Sequence, residues 1–170
     1  MADLKQSFNP LFLREEELRN GMELLFYAYR DFTQEADAIL AKFGLGRAHH
    51  RALYFIGRNP TISVSELLEI LRITKQSLSR VLGEMIRQDL VTQAPGVRDR
   101  RRRHLQLTPQ GIALERNLSE RQRGCFARAY REAGVDAVEG FRKVLLGMVN
   151  DADRHLLQRP ARAEHDREAV

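Results

Sequence analysis

The sequence predicts a mainly α-helical chain interrupted by one β-hairpin just past its midpoint. Three observations predict it. Apolar residues recur every three or four positions over six stretches, the spacing of one helix face. Hydroxyl residues stand where several of these stretches begin, and Gly or Pro where others end. Leu90-Val91-Thr92-Gln93 and Leu105-Gln106-Leu107 instead read as strands, with the turn signal Ala94-Pro95-Gly96 between them.

The first helix runs from about Arg14 to Phe43, with Leu18, Met22, Leu25, Tyr29, Phe32, Ala36, Ile39 and Phe43 on one face. Such a helix is roughly 45 Å long. A small domain has too little core to cover that stripe, so part of it is expected to pack against another chain. Gly44-Leu45-Gly46 stops it. A second helix spans about Arg47 to Gly57, anchored by Leu53, Phe55 and Ile56, and Arg58-Asn59-Pro60 breaks it. Ser63-Val64-Ser65-Glu66 reads as a capping box opening a third helix with Leu67, Leu68 and Leu71. After Arg72-Ile73, Thr74 is the expected N-cap of a helix through about Gln88, burying Leu78, Val81, Leu82, Met85 and Ile86. Two short helices joined by a tight turn, with the hairpin directly after them, make a winged helix-turn-helix. Thr108-Pro109 restarts helix as N-cap and first helical residue, and Gly134 ends it. A last helix, capped at Asp136 to Glu139, carries Phe141, Val144, Leu145, Met148, Val149 and Leu156; the polar tail from Pro160 is expected to fray.

Composition narrows the function classes. Hydrophobic residues make up 43% and charged residues 30% of the 170 positions, a globular balance suited to one domain with helical extensions. No apolar run approaches a membrane span, and the N-terminus lacks a signal-peptide pattern, so a cytoplasmic protein is expected. Cys125 is the lone cysteine, which excludes an intramolecular disulfide. No triad, phosphate loop or metal-ligand spacing is present, so neither an enzyme nor a cofactor or metal site is expected. The charge is unevenly placed. Residues 47–110 hold twelve Lys/Arg against five Asp/Glu, while the rest holds sixteen against eighteen. The whole positive excess therefore lies in the central block, the electrostatic footprint of a nucleic-acid-binding module.

Within that block, the front of the Thr74 helix presents Thr74, Lys75, Gln76, Ser77, Ser79 and Arg80. These hydroxyl, amide and cationic groups reach base edges or phosphates when a helix enters the major groove. Ser65, on the preceding helix, joins them as a candidate DNA contact. The hairpin tip holds Arg98, Arg100, Arg101, Arg102 and Arg103, five arginines in six positions. Their mutual repulsion calls for a polyanion, and an arginine at a hairpin tip suits a narrow minor groove. Asp99 is expected to pair with a neighbouring guanidinium and fix its direction.

Asp99-Arg100-Arg101 followed by Leu105-Gln106-Leu107-Thr108-Pro109-Gln110-Gly111 resembles the wing and following helix start of the MarR (multiple antibiotic resistance regulator) family. Leu67 to Leu71, Thr74 to Arg80 and Leu90-Val91 resemble its helix-turn-helix and first wing strand, so the similarity spans about 44 to 114. Pro10 to Glu17 and Arg47 to Arg51 are similar to the PetP-like subgroup. The resemblance implies a homodimeric bacterial transcription regulator binding a pseudo-palindromic promoter site on double-stranded DNA. It implies dimerisation helices at 1–43 and 109–158 around a winged-helix domain at 44–108, with a flexible tail at 159–170. By position, Arg101 is the inserted wing arginine and Asp99 its buttress. Some family members respond to small molecules, for which Phe26, Tyr27, Arg30, His49 and Tyr54 are candidate ligand contacts here. Others respond through cysteine oxidation, but a packing role is expected for Cys125. The readings left open are a constitutive DNA binder without a ligand and a protein-interaction module on the same fold.

Overall fold

A computed structural model of the chain describes residues 11–95 and 103–157. A 3-10 turn at Leu11–Leu13 leads into α1 (Glu15–Ala41), then α2 (Arg47–Arg58), β1 (Ile62–Ser63), α3 (Val64–Leu71) and α4 (Lys75–Arg87). The hairpin β2 (Val91–Pro95) and β3 (Arg103–Leu107) follows, then α5 (Pro109–Ala133), α6 (Val135–Met148), a 3-10 turn (Asp151–Asp153) and α7 (Arg154–Leu157). The chain divides into two compact units between Glu35 and Ala36.

In the first unit the α1 helix is stabilised locally. Glu15, Glu16 and Glu17 sit in its first turn, where acidic groups complement the helix dipole, and Arg19 Nε lies 2.8 Å from Glu15 Oε1. Leu18, Met22, Leu24, Leu25 and Phe26 are all exposed. The apolar stripe expected to seek another chain is thus uncovered in this unit.

The second unit holds the core. Leu53 and Ile56 of α2, Leu67 of α3, and Leu78, Val81, Leu82 and Met85 of α4 are buried together with Leu90, Val91, Leu105, Leu114 and Leu118. Ala36 and Leu40, from the last turns of α1, belong to the same cluster. Helix α1 ends at Ala41, two residues before the expected Phe43. Gly44 adopts φ +66°, and the Leu45 amide donates to the Leu40 carbonyl at 3.0 Å. That left-handed stop is favoured by glycine and satisfies one of the helix's last carbonyls.

The caps read from the sequence at Ser63 and Thr108 are present. Ser63 Oγ accepts from the Glu66 amide at 3.2 Å, and the Ser63 amide donates to Glu66 Oε2 at 2.8 Å, completing the capping box. Thr108 Oγ1 accepts from the Gly111 amide at 3.0 Å and donates to the Asp89 carbonyl at 2.5 Å, tying the start of α5 to the loop before β2. Gly111 itself is required by close approach: a Cβ there would strike the Leu90 carbonyl. Leu90 accepts from the Thr108 amide at 3.1 Å, so backbone cannot easily withdraw.

Several expectations are extended or corrected. The sheet has three strands in the order β1-β3-β2, all antiparallel, with Ile62 opposite Leu105. A two-residue strand leaves no alternation to read, so β1 was invisible in the pattern. The hairpin strands are longer than expected, taking in Ala94 and Pro95 on one side and Arg103 and His104 on the other. Ile86 is exposed, because the buried face of α4 is centred on Leu78, Val81, Leu82 and Met85 and Ile86 falls beyond its edge. The last helix breaks at Val149, which is extended (φ −74°, ψ 131°), so Leu156 sits on the separate helix α7. Helix α6 starts at Val135 after Gly134, with no side-chain cap.

Candidate nucleic-acid interface

The helix-turn-helix is α3, the turn Arg72-Ile73-Thr74, and α4. Arg72 makes the turn in the left-handed region (φ 49°, ψ 41°), its amide donating to the Leu68 carbonyl. Thr74 then caps α4, accepting from the Ser77 amide at 3.1 Å while its own hydroxyl donates to Ser77 Oγ at 2.9 Å. The Thr74 side chain therefore starts the helix, as its expected cap position requires, and orients Ser77.

The two faces of α4 separate cleanly. Leu78, Val81 and Met85 are at most 3% exposed, whereas Thr74, Lys75, Gln76, Ser77, Ser79 and Arg80 are all exposed. Ser65 is exposed on α3. An apolar back fixed in the core and a polar front held outward can present amide, hydroxyl and cationic groups without local refolding.

Two side-chain links missed in the sequence set the attitude of this unit. His49 Nδ1 accepts from the Gly46 amide at 3.1 Å, which leaves Nε2 to carry the proton and donate to Glu84 Oε2 at 2.7 Å. One imidazole thus joins the start of α2 to the second half of α4. In the sheet, His104 Nδ1 lies 2.6 Å from the Thr61 carbonyl, with Thr61 itself at φ 67°. That bond fastens the hairpin strand β3 to the loop before β1. Both links join residues more than thirty positions apart, and nothing in local spacing announces them.

Of the hairpin arginines, Arg103 is described: it is exposed on β3, with Nη1 3.4 Å from Gln93 Oε1 across the ladder. Arg98, Asp99, Arg100, Arg101 and Arg102 lie outside the described residues.

The candidate ligand contacts fall in both units. In the first, the Phe26 and Tyr27 rings meet edge-on at 5.4 Å, and the Arg30 guanidinium lies 5.0 Å over Tyr27 with Nε 2.8 Å from Asp31. In the second, His49 is engaged by Gly46 and Glu84, and Tyr54 is exposed against Phe55, edge-on at 5.2 Å. His50 is buried, and burial pushes its imidazole below the usual histidine value, with Asp37 and Glu115 opposing. Cys125 is a half-buried free thiol on α5. Among the described residues, no three His, Cys, Asp or Glu side chains gather as a metal site, and no helix is long and apolar enough to cross a membrane.

A capped helix with a buried back and a polar front, followed at once by a β-hairpin tethered to the same core, defines a winged helix-turn-helix protein. Residues 43–102 match the model of the MarR family. The chain is 51% identical over 148 residues, 87% of its length and 89% of the relative's, to the HTH-type transcriptional regulator PetP of Rhodobacter capsulatus. The chain belongs to the MarR family of transcriptional regulators, DNA-binding proteins rather than enzymes. Solved structures agree on the fold. Streptococcus pneumoniae FabT, in complex with DNA, matches with a TM-score of 0.68 at 17% identity, covering 77% of this chain and 94% of that one. NadR, in complex with 4-hydroxyphenylacetate, matches at 0.62 and 20% identity, covering 73% and 88%.

Proposed function

We propose that the protein binds a pseudo-palindromic promoter site on double-stranded DNA as a homodimer, each copy laying α4 in the major groove. The observation that carries this is the exposed front Lys75, Gln76, Ser77, Ser79 and Arg80 on a helix whose back is locked in the core. Gln76 is suited to adenine and Lys75 and Arg80 to guanine or phosphate, with Ser65 and Thr74 beside them. The seven residues 96–102 that join β2 to β3 carry Arg98, Asp99, Arg100, Arg101 and Arg102. We assign Arg101, buttressed by Asp99, to the flanking minor groove, and the other arginines to phosphates. The structure of FabT with DNA supports a DNA-binding use of this fold.

Self-association is supported by apolar surface at both ends of the sequence. Met22 and Phe26 on α1 and Val144 and Met148 on α6 are each more than 60% exposed. Helices within 1–43 and 109–158 are the proposed dimerisation elements around the winged-helix domain at 44–108. A small-molecule effector is proposed to act through Phe26, Tyr27, Arg30, His49 and Tyr54. NadR's complex with an aromatic carboxylate supports that chemical class, since Arg30 and the adjacent rings combine a cation with aromatic surface. The cytoplasm, where promoter DNA is reached, is the proposed location.

Selection of bound sites from random duplex DNA at fixed salt tests this function. A two-fold symmetric motif with half-sites about one helical turn apart is expected; enrichment of no motif would favour an interaction module on the same fold.

A further inference from the structure

The last described residues return to the helix-turn-helix. After the break at Val149, the 3-10 turn and α7 place Asp153 and His155 against the end of α3. Arg72 Nη2 donates to Asp153 Oδ1 at 2.7 Å. His155 Nε2 lies 3.1 Å from Glu69 Oε1, and its Nδ1 lies 2.6 Å from the Ala152 carbonyl. A carboxylate and a carbonyl only accept, so both ring contacts are hydrogen bonds only when both nitrogens carry protons. The contact is therefore complete with His155 as an imidazolium. The charged groups that meet in it are Glu69 and Arg72 from the α3 end, and Asp151, Asp153 and Arg154 from its own segment, where Arg154 pairs with Asp151 at 3.2 Å.

Arg72 stands two residues before Thr74, at the end of α4 that leads into the groove. Its side chain is 57% exposed even in the ion pair, so the guanidinium is within reach of a competing anion. We propose that residues 151–157 form a clasp that withholds Arg72 from DNA phosphate and that closes more firmly when His155 is protonated. The proposal rests on the DNA-binding function of α4 and adds a regulator to it. Exposed ion pairs are individually weak, so Asp153 and a phosphate compete for Arg72 within a range that one protonation can tilt. Histidine changes charge between about pH 5 and 8. The direction is distinctive: protonation ordinarily favours binding to a polyanion, whereas a tighter clasp opposes it.

Affinity of the full chain for its selected site, measured by fluorescence anisotropy at pH 6 and pH 8 over a salt series, tests the clasp. Asp153→Asn is expected to bind several-fold tighter than wild type at pH 6, with a smaller gain at pH 8. Its log affinity against log salt should steepen by about 1.8, one added phosphate contact from each copy of the homodimer. His155→Gln should show part of the pH 6 gain and none at pH 8. Asp151→Asn removes the same charge from the same segment without touching the Arg72 pair, and should change affinity by less than about two-fold. Equal gains in Asp153→Asn and Asp151→Asn, the same gain at both pH values, or no gain would each overturn the proposal. Hydrogen exchange without DNA separates it from the function it rests on. Amides of 151–157 should exchange faster in Asp153→Asn than in wild type, and unchanged exchange overturns the clasp. Faster exchange in a protein that retains no DNA would instead overturn the DNA-binding function, and with it the clasp's role.

Discussion

Helix α4 and the first six turns of α1 are both amphipathic, yet their apolar faces meet different fates. Met85 on α4 is fully buried, while Met22 on α1 is 71% exposed. Helix α4 has its cap, its core and a bond to α2 through Glu84 and His49, all within one compact unit. The α1 stripe has ion pairs along the helix but no apolar cover among the described residues of its unit. The difference teaches how labour is divided. The helix proposed to read DNA with its polar face has its apolar face fixed in the core, whereas the helix proposed to join two copies keeps its apolar face outward.

The largest effects should come from the buried side. Met85→Ala removes a fully buried side chain and should lower unfolding free energy by about 2–5 kcal/mol in urea titrations. Met22→Ala on dilute protein should change it by less than about 0.5 kcal/mol, and should appear instead as weaker self-association in sedimentation. Comparable stability losses in the two variants would break the contrast. Gly111→Ala, whose Cβ meets the Leu90 carbonyl, should cost about 1–3 kcal/mol although it adds only a methyl group. Thr74→Ala should cost about 1 kcal/mol by leaving first-turn amides of α4 without their cap.

The smallest effect is that of pH on His50. Burial lowers its folded value below the unfolded value of about 6.5. Below that pH the unfolded chain takes up a proton that the folded chain resists, so stability falls as pH drops through the window beneath 6.5. Above it both states are neutral and His50 contributes no slope. Urea midpoints at pH 7.5 and 5.5 should show the fall, and His50→Gln should flatten it.

Much of this contrast was legible in the sequence, for definite reasons. The α4 front and back follow from a 3.6-residue period running between a threonine cap and Gln88, and caps act over three residues. Thr108 with Gly111 was equally local. The break at Val149 was missed because apolar spacing continues across it from Met148 to Leu156. The His49–Glu84 and His104–Thr61 bonds were missed because they are tertiary, joining residues 35 and 43 positions apart. Ile86 misled because an apolar residue at the edge of a stripe has the same periodicity as one inside it. The Arg98–Arg102 run, the most conspicuous feature of the composition, lies outside the described residues, so its assignment continues to rest on sequence.

The claim that α4 reads bases in two symmetry-related copies is tested most directly by repeating the random-site selection with Gln76→Ala. The predicted result is a motif that loses its base preference at one position in each half-site, symmetrically, and keeps the others. A motif identical to that of the wild type, at every position, would contradict it.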